Sequence, residues 1–157
     1  MRFSLGLLAL LAFLPAPGPG VREKSCQLRG VWQLLSGKYG DYTTPATWRQ
    51  IKIITKGHFA FVGEGDRGVK DMKSAADSLQ AFRTMFSGGG TYTLNGNSYK
   101  ETVEYFADPA GVGLSIEFTC RTEGDRFVQT GSLPVMEGGK KVGEMPLEEV
   151  WRRLESL

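Results

Sequence analysis

The chain has 157 residues, with 19 Lys and Arg against 17 Asp and Glu, one His, 21 Gly and 11% aromatic residues. Its opposite charges are interspersed with no basic stripe, which argues against a nucleic-acid partner, since such proteins cluster Lys and Arg where phosphate is met. One His and two distant Cys make no ligand set for a metal, and no motif implies a cofactor.

Met1-Arg2-Phe3-Ser4 is followed by an apolar run from Leu5 to Leu14, then by Pro15-Ala16-Pro17-Gly18-Pro19-Gly20. One positive charge, a short apolar stretch and then helix breakers is the layout of a secretory signal peptide. The run falls short of the roughly 20 apolar residues that a membrane span needs, and no later window comes close. A lipobox is disfavoured because Arg22-Glu23-Lys24-Ser25 precedes the first cysteine, Cys26. Residues 1–20 are therefore predicted to be a signal peptide, and residues 21–157 one secreted or periplasmic domain. Removing the leader takes Arg2 and no acid, which leaves 18 basic residues against 17 acidic ones. Two cysteines in an exported chain invite a Cys26–Cys120 disulfide, with two buried thiols as the alternative. Closing so long a loop stabilises by roughly 4–5 kcal/mol in the chain-entropy view.

Leu28 to Ser36 reads as a first strand, and Gly37 to Pro45 as a loop. Trp48 to Lys56 is β-branched and alternates in part, with Ile51, Ile53 and Thr55 against Lys52, Ile54 and Lys56. Gly57 allows a tight turn into a third strand from His58 to Val62. The period then changes. Met72, Ala75, Ala76, Leu79, Phe82 and Phe86 recur at helical steps, which predicts an amphipathic helix over 71–86. Ser74 to Asp77 resembles a capping box, with Asp71 a rival cap. Ser87-Gly88-Gly89-Gly90 reads as the linker that stops the helix.

Alternation returns in 91–94 and 98–106, which flank the hairpin turn Asn95-Gly96-Asn97. A second hairpin joins 114–121 to 126–132, and Pro134 to Gly143 reads as a glycine-rich loop. Leu147 to Leu154 is a closing strand or a short helix; a strand is favoured because a barrel's last strand pairs with its first. The fold class is thus mainly β: one up-and-down antiparallel barrel of about eight strands, with a short helix between the third and fourth. A β-sandwich is the main rival.

Gly30-Val31-Trp32 in the first strand resembles the Gly-x-Trp signature of lipocalins. Gly89 to Leu94, Tyr99 to Tyr105, Ser115 to Phe118 and Glu149-Val150-Trp151 are similar to an uncharacterised family of bacterial secreted lipocalin-like proteins, over roughly residues 28–154. The resemblance implies a calycin-type barrel with an internal cavity, and no particular reaction. It also implies that Trp32 closes the barrel floor beneath an Arg of the last strand, Arg152 or Arg153, with Arg153 preferred. The early helix departs from lipocalins, whose main helix lies near the C-terminus.

On 98–106 one face collects Tyr99, Glu101, Val103 and Tyr105, and its aromatics make it the better inward face. Glu101 is then a carboxylate in an apolar interior, either functional or paired with an inward Arg such as Arg153. His58, the only histidine, is a candidate general base, or else a hydrogen-bonded turn residue. Trp48, Phe59, Phe61, Phe82, Tyr92, Tyr105, Phe118 and Trp151 join Tyr99 and Glu101 as candidate ligand contacts, although aromatics at strand spacing also serve as plain core.

Three functions compete. The leading one is a carrier for a small hydrophobic or aromatic ligand. The second is a cavity enzyme of isomerase or cyclase type, which requires Glu101 and His58 to converge. The third is a structural or interaction module with a filled barrel. The 71–86 helix, bounded by glycines, is expected to cap the mouth as a lid, with a static plug packed on the barrel's outer wall as the alternative.

Overall fold

The structure, a computed structural model, describes residues 25–66, 68 and 70–157. The expected signal peptide, residues 1–20, lies outside the described residues. Among the described residues there are nine strands: β1 (Gly30–Tyr39), β2 (Tyr42–Thr43), β3 (Arg49–Ile54), β4 (His58–Glu64), β5 (Met85–Asn95), β6 (Ser98–Phe106), β7 (Ser115–Glu123), β8 (Arg126–Glu137) and β9 (Lys140–Glu155). Each of the eight longer strands pairs antiparallel with its neighbour, and β9 returns to β1. That pairing closes an eight-stranded barrel and leaves no open edge among those eight. The two-residue β2 pairs only with the end of β1.

Among the described residues the one α-helix, α1 (Ala75–Arg83), lies between β4 and β5 rather than between the third and fourth strands. The difference arises because Gly37 to Pro45, read as a loop, contains the end of β1 and the short strand β2. Ser74 is the N-cap, and the reciprocal bonds with Asp77 that define a capping box are both made. The helix is shorter than the expected 71–86. Thr84 ends it, and Phe86 passes into β5. Phe86's helical spacing is thus coincidental.

Gly88, Gly89 and Gly90 are likewise inside β5, not in a linker. They stand there because nothing larger fits: a Cβ on Gly90 would lie 2.0 Å from the Thr102 carbonyl oxygen, and one on Gly89 2.7 Å from that of Phe59. The segment 134–143 is also not a loop. β8 and β9 run to a tight turn at Gly138 and Gly139, both with positive φ, and pair from end to end.

The barrel is filled at one end. Trp32, Ile54, Tyr99, Phe127 and Trp151 are buried there from five different strands. Trp32 meets Phe127 edge-on at 5.3 Å between ring centroids, and donates its indole N–H to the Leu28 carbonyl at 2.7 Å. A Cys26–Cys120 disulfide ties the segment before β1 to β7 at this same end.

Candidate functional site

Above the filled floor the side chains change character in a single layer. Moving from floor to mouth, Ile54 is followed on the inward face by Lys52, Tyr99 by Glu101, Phe127 by Gln129, and Trp151 by Glu149. Each step is two residues, the strand period, so the four polar groups arrive at one level from β3, β6, β8 and β9. Lys52, Glu101 and Glu149 are only 3%, 4% and 6% exposed. Buried charges at that depth persist only when partnered.

The partners form a chain across the barrel. Lys52 Nζ donates to Glu101 Oε1 at 2.5 Å and to Gln129 Oε1 at 3.3 Å. Gln129 Nε2 donates to Glu149 Oε2 at 2.8 Å, and the Tyr39 hydroxyl donates to Glu149 Oε1 at 2.5 Å. The Tyr99 hydroxyl donates to Glu101 Oε1, also at 2.5 Å. Below, the Lys52 ammonium lies 5.5 Å from the ring centroids of Phe59 and Trp151. Glu101 thus has a cation against it, whereas Glu149 has only neutral donors.

That asymmetry shapes the titration of the site. Burial raises the Glu149 carboxyl above its ordinary range; Lys52 and the Tyr39 hydrogen bond oppose this, and Glu101 reinforces it. The buried Trp151 indole N–H also pulls Glu149 downward, the smallest of these effects. Burial, and then the adjoining carboxylates, push the Tyr39 and Tyr99 hydroxyls far above the usual phenol range. Both phenols are therefore donors at neutral pH.

Over this layer opens a cavity of about 580 Å³. Its walls include Tyr39, Trp48, Phe61, Phe86, Phe106 and Phe118, and its base is Lys52, Glu101, Gln129 and Glu149. Trp48 and Phe86 stack at 4.6 Å, and Phe61 meets Phe106 edge-on at 6.1 Å.

Of the candidate ligand contacts, Trp48, Phe61, Glu101 and Phe118 line this cavity. Phe59, Tyr99 and Trp151 are buried in the packed core, and Tyr92 packs against it. Tyr105 is 73% exposed, outside the cavity. The reason is a bulge. Gly89 pairs with Tyr105 but Gly90 with Val103, so Glu104 is an extra residue and alternation reverses beyond it. Phe106 therefore takes the lining position that unbroken alternation gives to Tyr105.

Phe82 is 65% exposed on α1, and no residue of α1 lines the cavity, so the helix does not cap the mouth. Glu101 pairs with Lys52 rather than Arg153, whose guanidinium lies over Trp32. His58 is exposed and lines a separate, more open groove with Gly88–Gly90 and Glu104, in which Glu101 has no part. The convergence that the His58 mechanism needs is absent.

Sequence reasoning missed Lys52, Gln129, Glu149 and Tyr39. A signal existed in the strand period, since Lys52 shares a face with Ile54 and Glu149 with Leu147 and Trp151. A hydropathy reading turns such residues outward by default. Among the described residues no helix is long and apolar enough to cross a membrane, and no acidic, His or Cys cluster suits a metal. No protein-family model matches the chain, and no curated protein is similar to it.

Proposed function

We propose that the protein is an exported carrier of lipocalin-like type that encloses a small, largely apolar or aromatic molecule. The observation that carries this reading is the cavity of about 580 Å³, largely aromatic and aliphatic at its walls, with its buried charged groups gathered at its base and Asp108 at its rim. Small-molecule pockets typically span roughly 300–1,000 Å³ with a few convergent polar groups that fix orientation. A filled barrel, as a purely structural module needs, would have no such space. The Gly30-Val31-Trp32 start, with Arg153 lying over Trp32, supports the lipocalin-like comparison.

A proton-transfer enzyme is the second reading, favoured by the raised Glu149 carboxyl beside Tyr39. Both oxygens of that carboxyl already accept hydrogen bonds from the protein, which suits anchoring better than proton abstraction. Native mass spectrometry of protein purified from its host tests the carrier. The expected result is a co-purified small molecule that denaturation releases. An empty protein that also fails to enhance the fluorescence of the neutral dye N-phenylnaphthylamine overturns it.

A further inference from the structure

The interior contains an unequal set of charges. Four charged residues line the cavity, and three are acids: Glu101, Asp108 and Glu149 against Lys52 alone. Lys52 is committed to Glu101 at 2.5 Å and to Gln129. Asp108 caps the short turn before β7 by accepting from the Ala110 amide, and stands exposed at the rim. Glu149 is different. It is buried and lines the cavity, and the ion pairs among the described residues do not include it.

A carboxyl in that position has two ways to avoid an uncompensated buried charge: it keeps its proton, or a cation comes to it. The surroundings suit a cation. Aromatic faces attract ammonium groups through their quadrupole, most strongly where water is excluded. The barrel already holds one ammonium this way, since Lys52 Nζ lies within 5.5–6.0 Å of the ring centroids of Phe59, Tyr99, Phe118 and Trp151. The cavity that Glu149 lines offers further aromatic rings, those of Tyr39, Trp48, Phe61, Phe86 and Phe106.

We infer that the ligand is an organic ammonium: an amine with an aromatic or aliphatic body, whose protonated nitrogen pairs with Glu149 beneath the aromatic mouth. The inference rests on the carrier reading and specifies its ligand class. An anionic ligand such as a fatty acid would add a further negative charge beside three acids, with no uncommitted cation among the described lining residues to receive it. A neutral ligand would leave Glu149 to retain its proton.

Three probes of one shape decide the matter: phenylbutylamine, phenylbutanol and phenylbutyrate, titrated calorimetrically into the full-length mature protein near neutral pH. The amine is expected to bind about tenfold or more tighter than the alcohol, the size of one charge-assisted hydrogen bond at a buried site, with the acid weakest. In Glu149→Gln the amine-to-alcohol ratio is expected to fall to about one, by the same reasoning. Amine and alcohol binding equally, or the acid binding best, overturns the amine inference and leaves the carrier standing. A ratio that persists in a folded Glu149→Gln protein overturns it as well. Failure of all three probes overturns the amine inference, and the carrier reading falls with it only if the protein also purifies empty and leaves N-phenylnaphthylamine fluorescence unchanged. Should the variant not fold, the ranking on the unaltered protein still decides.

Discussion

The Arg153 guanidinium lies over the Trp32 indole, 4.0 Å from the ring centroid. Its two terminal nitrogens donate to the carbonyl oxygens of Arg29, at 2.5 Å, and Gln27, at 2.7 Å. One side chain of the last strand thus closes the barrel floor and pins the segment that enters the first. Partial burial lowers the Arg153 pKa without discharging a guanidinium.

Trp32→Ala is therefore expected to destabilise by about 3–5 kcal/mol. Arg153→Lys keeps the charge but loses the planar stack and the paired donors, and is expected to cost about 1 kcal/mol. Urea unfolding reads both. Neither residue lines the cavity, so binding of a neutral dye should be unchanged wherever the variants remain folded. A binding change without a stability change would remove Trp32 from the floor role.

Lys52 and Glu101 form a buried pair, and removing one partner leaves the other uncompensated. Lys52→Met is expected to destabilise by about 3–5 kcal/mol. Adding Glu101→Leu should restore much of that loss, because the orphaned carboxylate goes with it. A double-mutant cycle by urea unfolding measures the coupling. If the two losses simply add, the pair is not an energetic unit.

The barrel was legible from period-two runs, from the Asn95-Gly96-Asn97 turn and from the return of apolar residues at 147–154. The helix was legible because Ser74 and Asp77 stand at capping-box spacing. Its C-terminal limit was not, since Phe86 continues the helical rhythm by chance while pairing with β4 decides for strand. Tyr105 was misplaced because a bulge depends on the partner strand, and Gly90 and Thr102 set that register only in three dimensions. The polar layer was hidden for another reason. Lys52 and Glu149 read as surface residues singly, and their burial follows only from Glu101 and Gln129 arriving at the same height.

Glu149 gives the fold a pH dependence with a definite sign. Burial raises its carboxyl in the folded state, so the native protein holds that proton more tightly than the unfolded chain. The stability it contributes is fully present below the ordinary carboxylate range and is lost as pH rises through the raised value. The groups that face it are Lys52 on β3, Tyr39 on β1, Glu101 on β6 and Gln129 on β8. Glu149→Gln mimics the protonated form, since its amide can donate to Tyr39 and accept from Gln129. Between about pH 4 and pH 8 the urea midpoint of the native protein should fall relative to that variant. Parallel curves would mean that Glu149 titrates as an exposed carboxylate does.

Gly90 sits where the backbone of β6 leaves no room for a side chain on β5. Its absent side chain leaves room for the Thr102 carbonyl oxygen, 2.0 Å from where a Cβ would stand, and for the Glu104 amide nitrogen at 2.9 Å. Both neighbours are backbone atoms, so the clash cannot be relieved by rotating a side chain. Relief requires β6 to move, and β6 carries Glu101 inward on one side of the bulge and Phe106 on the other. Gly90→Ala is expected to cost about 3 kcal/mol or more, at the upper end of overpacking penalties. It should also weaken binding of a neutral dye in the molecules that still fold. Gly57→Ala is the control: its Cβ would meet nothing within 4 Å, and the stability change should stay within about 0.5 kcal/mol. Equal stability of the two variants in urea would show that β6 yields without cost, and the bulge would then not fix the cavity wall.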